Sequence, residues 1–188
     1  MNKRSQKSDN PLLKECLFTA LIMLMDQKDF KDITISEITQ KAGVSRMTYY
    51  RTYSSKEDIL RQYFNDQSKK LLADILAQPD LSAYEFFCQI FYFFKDNAHM
   101  IEYLYKAELL IEVLDQFIEF AEKIYEKTGI HRAEDSMKAY EIRFIAGGLF
   151  QILIHWIQCE LKESPEEMAR MTLCMLHISS SEPEKDHI

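Results

Sequence analysis

Glycine and proline are scarce in this chain, since its 188 residues include only four of each. Few residues are therefore available to interrupt helices, and nine methionines with abundant leucine, isoleucine, glutamate and lysine favour helix formation. The hydrophobic content of 47% is enough for a real core, in one domain or in two small ones. The composition therefore predicts an all-α protein.

Signals of disulfides, metal sites and catalysis are also missing. The four cysteines, Cys16, Cys88, Cys159 and Cys174, lie far apart without a Cys-x-x-Cys pair or clustered histidines. We therefore expect buried, reduced thiols and no metal site. The chain has no Gly-x-Ser-x-Gly, no phosphate-binding glycine loop and no His-Glu-x-x-His. We accordingly expect neither an enzyme nor a bound cofactor.

No apolar run approaches the length of a membrane-spanning helix, and no hydrophobic segment follows the basic N-terminal residues. We therefore expect a cytoplasmic protein with no membrane partner. The net charge is −7, but it is unevenly distributed. Residues 1–65 carry eleven basic and eight acidic side chains, a net charge of +3. The remaining residues carry twelve basic and 22 acidic side chains, a net charge of −10. This asymmetry fits a nucleic-acid-binding end joined to an acidic body.

Residues 35–56 predict two short helices joined by a tight turn. Thr34 or Ser36 caps the first helix, Gly43 allows the chain to reverse, and Ser45 caps the second helix. The exposed face of the second helix offers guanidinium, hydroxyl and aromatic groups without a carboxylate: Arg46, Thr48, Tyr50 and Arg51. Such a surface suits the phosphates and base edges of DNA, as in a helix-turn-helix.

This stretch resembles the DNA-binding domain of the TetR/AcrR family of bacterial transcriptional repressors. The family's pattern runs Ile-Ala-x-x-Ala-Gly-Val-Ser-x-x-Thr-x-Tyr-x-His-Phe-x-Ser-Lys-Glu-x-Leu. The chain matches it at Ile38, Ala42, Gly43, Val44, Ser45, Thr48, Tyr50, Ser55, Lys56, Glu57 and Leu60. It departs from it at Thr39, where alanine is usual, and at Thr52-Tyr53, where His-Phe is common. The resemblance is strong over residues 10–65 and covers the remainder only by length and helical layout.

The resemblance implies a three-helix helix-turn-helix DNA-binding domain in residues 1–62. A long helix would join it to a C-terminal helical bundle in residues 63–188, which would bind ligand and form a homodimer on a palindromic double-stranded operator. Arg46 would pair with guanine O6 and N7, contact a phosphate or remain a solvated surface charge. Tyr50 and Lys56 match positions that contact phosphate in the family. The expected DNA-binding residues are Thr34, Ser36, Ser45, Arg46, Met47, Thr48, Tyr50, Arg51 and Lys56.

Apolar spacing predicts where the helices lie. The first runs from Pro11 to about Asp26, behind a polar arm at residues 1–9, and a long one runs from Ser54-Ser55 to about Gln78-Pro79. Further helical segments are expected at residues 82–96, 98–105, 107–127, 133–161 and 165–179.

The segment 84–94 is unusually aromatic, which indicates either ordinary core packing or the wall of a cavity for a small apolar or aromatic effector. The residues expected to line such a cavity are Phe87, Phe91, Tyr92, His99, Tyr103 and His155. A histidine in the position of His155 is alternatively a packed, hydrogen-bonded core residue.

Two apolar segments, 144–157 and 165–178, are expected to pair with a second copy, and a charge at Leu153 or Met171 should then give monomers. Gly147 and Gly148 cost a helix about 1 kcal/mol each relative to alanine, so another helix should approach them closely. The alternative is a monomer whose bundle buries both faces internally.

Three functional hypotheses remain open. The first is a ligand-responsive regulator, most often a repressor in this family, and the second is a constitutive or protein-controlled regulator without an inducer. The third is a cytoplasmic ligand-binding or scaffold protein with a degenerate DNA-binding head.

Overall fold

The computed structural model describes residues 10–128 and 137–176, except for the side chains of residues 124–128. Within these ranges every regular element is a helix, which confirms the predicted all-α class. The α-helices are α1 (Pro11–Met25), α2 (Ile35–Lys41), α3 (Arg46–Thr52), α4 (Lys56–Leu76), α5 (Ala83–Asp96), α6 (Ala98–Lys106), α7 (Leu110–Thr128), α8 (Lys138–Gln158) and α9 (Pro165–Met175). A 3-10 helix, Phe30–Asp32, lies between α1 and α2. No helix in these two ranges is long and apolar enough to cross a bilayer.

The chain divides into two compact units. The first contains the residues up to Ser68 together with His99–Leu110, and the second contains Lys69–Ala98 and the residues from Ile111 onward. Because α4 runs through both units, the domain boundary predicted after residue 62 falls inside a continuous helix.

Apolar side chains from α1 to α4 build the core of the first unit. Leu17, Leu21, Ile38, Tyr49, Ile59 and Leu60 are fully buried there. Helix α1 begins where expected, because the Asn10 side chain accepts a hydrogen bond from Leu13 N at 3.3 Å and Pro11 occupies the first helical position. Phe30 of the 3-10 helix is also buried.

The second unit is organised around the aromatic helix α5. A capping box of Ser82 and Glu85 starts this helix. Its buried residues, Phe87, Ile90, Phe91 and Phe94, recur at three and four, so one stripe faces inward. Helices α8 and α9 both pack against α5. Trp156 of α8 contacts the Phe91 ring edge to face at 5.4 Å, and its indole N–H donates to Glu163 O at 3.0 Å.

Two helix ends differ from the prediction because non-glycine residues adopt left-handed backbone conformations. The helix expected from residue 107 begins at Leu110, since Glu108 has φ +59°. The helix expected to reach residue 161 ends at Gln158, since Glu160 and Leu161 have φ +59° and +54°. The predicted arm at 1–9, the helical start at 133–136 and the helical end at 177–179 lie outside the described residues.

Two expectations, those for Leu153 and for the cysteines, are wrong. Leu153 is fully buried within its own unit, so a charge there would enter the core and not a subunit surface. A Cβ added at Gly147 or Gly148 would meet no atom of the described residues within 4 Å, so the close approach of another helix expected there stays a prediction. The cysteines are free, but none is fully buried, and Cys174 is exposed.

Candidate nucleic-acid interface

The start of α2 is fixed by a capping box that is tied to a lysine of the preceding segment. Thr34 Oγ1 accepts from Glu37 N at 3.3 Å, and Thr34 N donates to Glu37 Oε2 at 2.9 Å. The Lys28 ammonium donates to the other carboxylate oxygen, Glu37 Oε1, at 2.6 Å. The hydrogen bond from Lys28, followed by those from Thr34, lowers the pKa of Glu37 to about 2. The carboxylate therefore stays charged at neutral pH and holds the first turn of α2.

The turn between α2 and α3 is a Schellman motif. Gly43 has φ +69°, Gly43 N donates to Gln40 O at 3.2 Å, and Val44 N donates to Thr39 O at 3.0 Å. Any L-residue with a side chain would be strained at this φ, which explains glycine here. The pattern of hydrogen bonds fixes the direction in which the chain enters α3.

Helix α3 presents one buried and one exposed face. Ser45 Oγ accepts from Thr48 N at 3.1 Å and lies 2.9 Å from Thr48 Oγ1, so both hydroxyls serve the helix start. Tyr49 and Thr52 point into the core. The outward residues are Arg46, Met47, Tyr50 and Arg51, of which Met47 is 78% and Tyr50 58% exposed. No carboxylate lies on this helix.

Arg46 links the starts of the two helices, because its guanidinium donates a hydrogen bond to the Ser36 hydroxyl. The structure thus brings together Ser36 and Arg46, which are ten positions apart in the chain. A guanidinium has five N–H donors in a planar fork, so Arg46 keeps donors for a base edge or a phosphate.

Lys56 lies in a different environment from the one expected. Its ammonium donates to three backbone carbonyls, those of Phe30 at 2.6 Å, Lys31 at 3.1 Å and Ile33 at 2.9 Å. It also lies 4.5 Å from the centroid of the Phe30 ring. Since an ammonium has three N–H donors, this arrangement leaves none for a phosphate.

Tyr49 is a feature that the sequence analysis missed. It is fully buried, and its hydroxyl has no hydrogen-bond partner. Burial raises the pKa of Tyr49 above its ordinary range, with the carboxylates of Asp58 and Glu57 adding to the effect. Helical periodicity offered a signal, because Tyr49 and Tyr50 are adjacent and therefore cannot both face solvent on one side of the helix.

Four of the six candidate ligand residues lie in the second unit. Phe87 and Phe91 are in its core. Tyr92 is 45% exposed and donates a hydrogen bond to the carboxylate of Glu166. His155 is also exposed, with its Nε2 3.6 Å from Cys159 Sγ, so the alternative of a packed core histidine is wrong.

The other two candidate ligand residues, His99 and Tyr103, belong to the first unit. The Tyr103 hydroxyl donates to Asp26 Oδ1, at the end of α1, at 2.6 Å. His99 is exposed, 3.9 Å from Glu102. A cavity shared by all six residues stays a prediction. In the described residues, no group of three or more histidine, cysteine or acidic side chains could hold a metal ion.

Comparison with protein families gives two matches. The model described as "Bacterial regulatory proteins, tetR family" matches residues 17–63. The model described as "Transcriptional regulator C-terminal region" matches residues 81–177, more than half of the chain.

Two curated relatives are regulators of the helix-turn-helix type. YxbF of Bacillus subtilis, described as uncharacterized, is 24% identical over 173 residues, which cover 88% of this chain and 44% of YxbF. AlkX of Mycobacterium tuberculosis is 28% identical over 96 residues, which cover 49% of this chain and 46% of AlkX. The chain thus spans less than half the length of the curated relatives it matches.

Two solved structures share the fold. The dihydroxyacetone kinase operon activator DhaS superposes with a TM-score of 0.66 and 17% identity, covering 89% of this chain and 96% of DhaS. The fatty acid degradation regulator FadR from Bacillus halodurans superposes with a TM-score of 0.60 and 18% identity, covering 97% of this chain and all of FadR.

Proposed function

This chain belongs to the TetR family of bacterial regulatory proteins, and from this premise we propose that it is a homodimeric regulator that binds a palindromic operator. The family consists of DNA-binding transcriptional regulators, which are not normally enzymes. We further propose that the protein acts in the bacterial cytoplasm, on operator DNA, and that a small apolar effector controls its release.

The observation that carries the proposal is the exposed face of α3. Arg46, Met47, Tyr50 and Arg51 project from a helix whose start, entry turn and buried side are all fixed by internal contacts. A preorganised helix with cationic, aromatic and apolar groups suits the major groove, where base edges are read, and the phosphates beside it. Thr34, Ser36, Ser45 and Thr48 are proposed to contact the backbone of the same half-site from the two helix starts.

Selection of bound duplexes from a random library, followed by footprinting, tests operator binding. We expect a palindrome whose half-sites lie about 34 Å apart, or a multiple of this. Arg46→Ala should cost about 1–3 kcal/mol at one base pair and relax the preference there. The matched control is Arg143→Ala, which removes an arginine of α8 paired with Glu122 and should leave the selected sequence unchanged. Failure to enrich any sequence would favour the hypothesis of a degenerate DNA-binding head.

Exposed apolar side chains on α8 support the proposed homodimer. Phe144 is 82% exposed, and Met137 and Tyr140 near it are also mainly exposed. The open space beside Gly147 and Gly148 would accept a second helix at close range. Contiguous exposed apolar surface of this kind is characteristic of interfaces. Two copies of the head are also needed, because a palindrome presents two half-sites.

Light scattering at micromolar concentration tests the dimer. Phe144→Asp should give monomers with reduced operator affinity, because a carboxylate would be buried in the interface without a partner. Ile111→Asp is the control, since Ile111 of α7 is 75% exposed and the substitution adds the same charge. This control should remain dimeric. A monomeric wild-type protein would show that the proposed interface does not form.

The effector is the finer part of the proposal. One structural neighbour is named as an activator of a dihydroxyacetone kinase operon and the other as a regulator of fatty acid degradation, so a fatty acid is one compound to test here. The aromatic stripe of α5 supplies apolar groups for such a ligand. However, Phe91 contacts Trp156 and Phe94 contacts Phe117 edge to face. This packing favours the second candidate, a regulator without an inducer. A fatty acid such as dodecanoate should raise the melting temperature and lower operator affinity together if it is an effector of the first kind.

A further inference from the structure

Lys56, the first residue of α4, binds the segment that connects α1 to α2. Its ammonium contacts three carbonyls of residues 30, 31 and 33, which precede it by 23 to 26 positions. Its Nζ also lies over the ring of Phe30, where a cation is attracted by the π-system. These contacts are made entirely within the first compact unit.

The connecting segment is short, and the Phe30 carbonyl accepts one internal hydrogen bond, from Ile33 N at 3.1 Å. The 3-10 helix Phe30–Asp32 has a single turn, so its last carbonyl groups accept few internal hydrogen bonds. A second lysine completes the arrangement, since Lys28 Nζ donates to Asp32 O at 3.0 Å. Four successive carbonyls, at residues 30 to 33, therefore each accept a hydrogen bond from a lysine ammonium.

This segment leads directly into the proposed DNA-contacting residues of α2. Thr34, the next residue after Ile33, is the N-cap of that helix. Ser36 accepts the hydrogen bond from Arg46 at the start of α3. A displacement of the connecting segment would therefore move both the α2 start and the support of Arg46.

We propose that Lys56 is a positioning residue, which holds the α1–α2 connection and thereby places Thr34 and Ser36, and that it is not a phosphate ligand. The hydrogen bonds from Lys56 and Lys28 to the carbonyls of residues 30 to 33 form what we call the clamp. Its effect on DNA rests on the proposed operator binding, but the clamp itself is a property of the free protein. A lysine that turned toward a phosphate would give up its hydrogen bonds to Lys31 O and Ile33 O, and would leave Phe30 O with the backbone amide of Ile33 as its donor.

The first test concerns the free protein and needs no DNA. The ammonium protons of Lys56 should exchange slowly enough with water to give an NMR signal near pH 6, as hydrogen-bonded donors do. In Lys56→Met, which keeps an unbranched stem beside Phe30, the amide signals of Thr34 and Ser36 should shift. Lys28→Met removes the other lysine of the clamp and provides a second variant if Lys56→Met does not fold. Absence of both the ammonium signal and the amide shifts would overturn the clamp.

The second test measures operator affinity against salt concentration, well below the melting temperature of each variant. Lys56→Met should weaken binding about tenfold or more, yet leave the slope of log K against log salt unchanged. The control, Arg51→Met, removes an exposed cation of α3 and should flatten that slope by about one unit. A slope that falls by about one in Lys56→Met, with undisturbed amide signals, would make Lys56 a phosphate ligand. Unchanged affinity in folded Lys56→Met would also overturn the positioning role. If the wild-type protein selected no operator, the proposed function would fail while the NMR test still decided the clamp.

Discussion

Tyr49→Phe should stabilise the protein without changing its affinity for DNA. The tyrosine hydroxyl is fully buried in the first unit and has no hydrogen-bond partner. In the unfolded chain the same hydroxyl is hydrated, so it loses its hydrogen bonds to water when the protein folds. Phenylalanine keeps the ring, which contacts Tyr50 and Tyr53 at centroid distances of 5.2 and 5.9 Å.

The magnitude follows from two opposing contributions. An unpaired buried polar group costs about 1–3 kcal/mol. Removing one oxygen forfeits a few dispersion contacts of about 0.1–0.2 kcal/mol each. The net gain in the free energy of unfolding is therefore about 1–2 kcal/mol. For a chain of this size, each kcal/mol should raise Tm by about 2–4 °C.

The neighbouring residue supplies the matched control. Tyr50→Phe removes the same atom from a side chain that is 58% exposed, so the free energy of unfolding should change by less than about 0.5 kcal/mol. Operator affinity should fall instead, by about 1 kcal/mol or somewhat more, because a proposed phosphate contact is lost. The two variants should therefore give opposite results in urea unfolding and in DNA titration.

The pH dependence gives an independent check on the buried hydroxyl. Burial raises the pKa of Tyr49 above that of the unfolded chain. The folded protein therefore keeps a proton that the unfolded chain releases above about pH 10, so the free energy of unfolding falls as the pH rises from there toward the folded-state pKa of Tyr49. This loss should be smaller in Tyr49→Phe, while the contribution of Tyr53, whose pKa burial raises to about 12, should persist in both proteins. Destabilisation by Tyr49→Phe at neutral pH would refute the reasoning, because it would mean that the hydroxyl has a partner.

Three further outcomes are expected. Replacing thymine by uracil at one half-site position should weaken operator binding by the wild-type protein by about 0.8 kcal/mol, the value of one methyl group. The same replacement should not change the operator affinity of Met47→Ala. Equal losses in both proteins would exclude a contact between Met47 and the thymine methyl group. Glu37→Gln should lower the free energy of unfolding at neutral pH, and this loss should disappear as the pH falls toward 2. The reason is that the lowered folded-state pKa of Glu37 stabilises the protein above the ordinary carboxyl pKa, and protonation removes that stabilisation. A loss in urea unfolding that does not depend on pH would contradict this. Leu153→Asp should prevent cooperative thermal unfolding, because Leu153 is fully buried. A variant that folded as a stable monomer would instead support the expectation that Leu153 lies in the subunit interface.

The helix-turn-helix could be predicted from the sequence because its signals are local. Gly43 is the one residue of the motif with a positive φ, which favours glycine. Thr34 and Ser45 directly precede α2 and α3, and each caps the helix that follows it. The apolar spacing placed most helices for the same reason. The start of α7 at Leu110 and the end of α8 at Gln158 were not predicted. Glu108 and Glu160 adopt left-handed backbone conformations there, and glutamate is not a residue type that signals such a conformation.

The candidate ligand residues were chosen by chemical type and not by helical phase, which explains part of their placement. In α5 the buried Phe91 and Phe94 fix the inward direction, and Tyr92 follows Phe91 by about 100° of rotation. In α8 the buried Leu153 and Trp156 leave His155 on another side. The phase of the buried residues could therefore have shown from the sequence that neither polar group accompanies the core stripe.

The environment of Lys56 could not be predicted from the sequence, because its partners are backbone atoms more than twenty positions away. It has a consequence for the electrostatics of the head. Composition assigns eleven basic residues to positions 1–65, but Lys28 and Lys56 bind carbonyls, and Arg61 pairs with Asp58 at 3.1 Å. Cations committed to such contacts release no counterions from DNA on binding. Since the salt slope grows by about 0.9 for each phosphate neutralised, it should reflect residues such as Arg46 and Arg51 and not the total charge of the head.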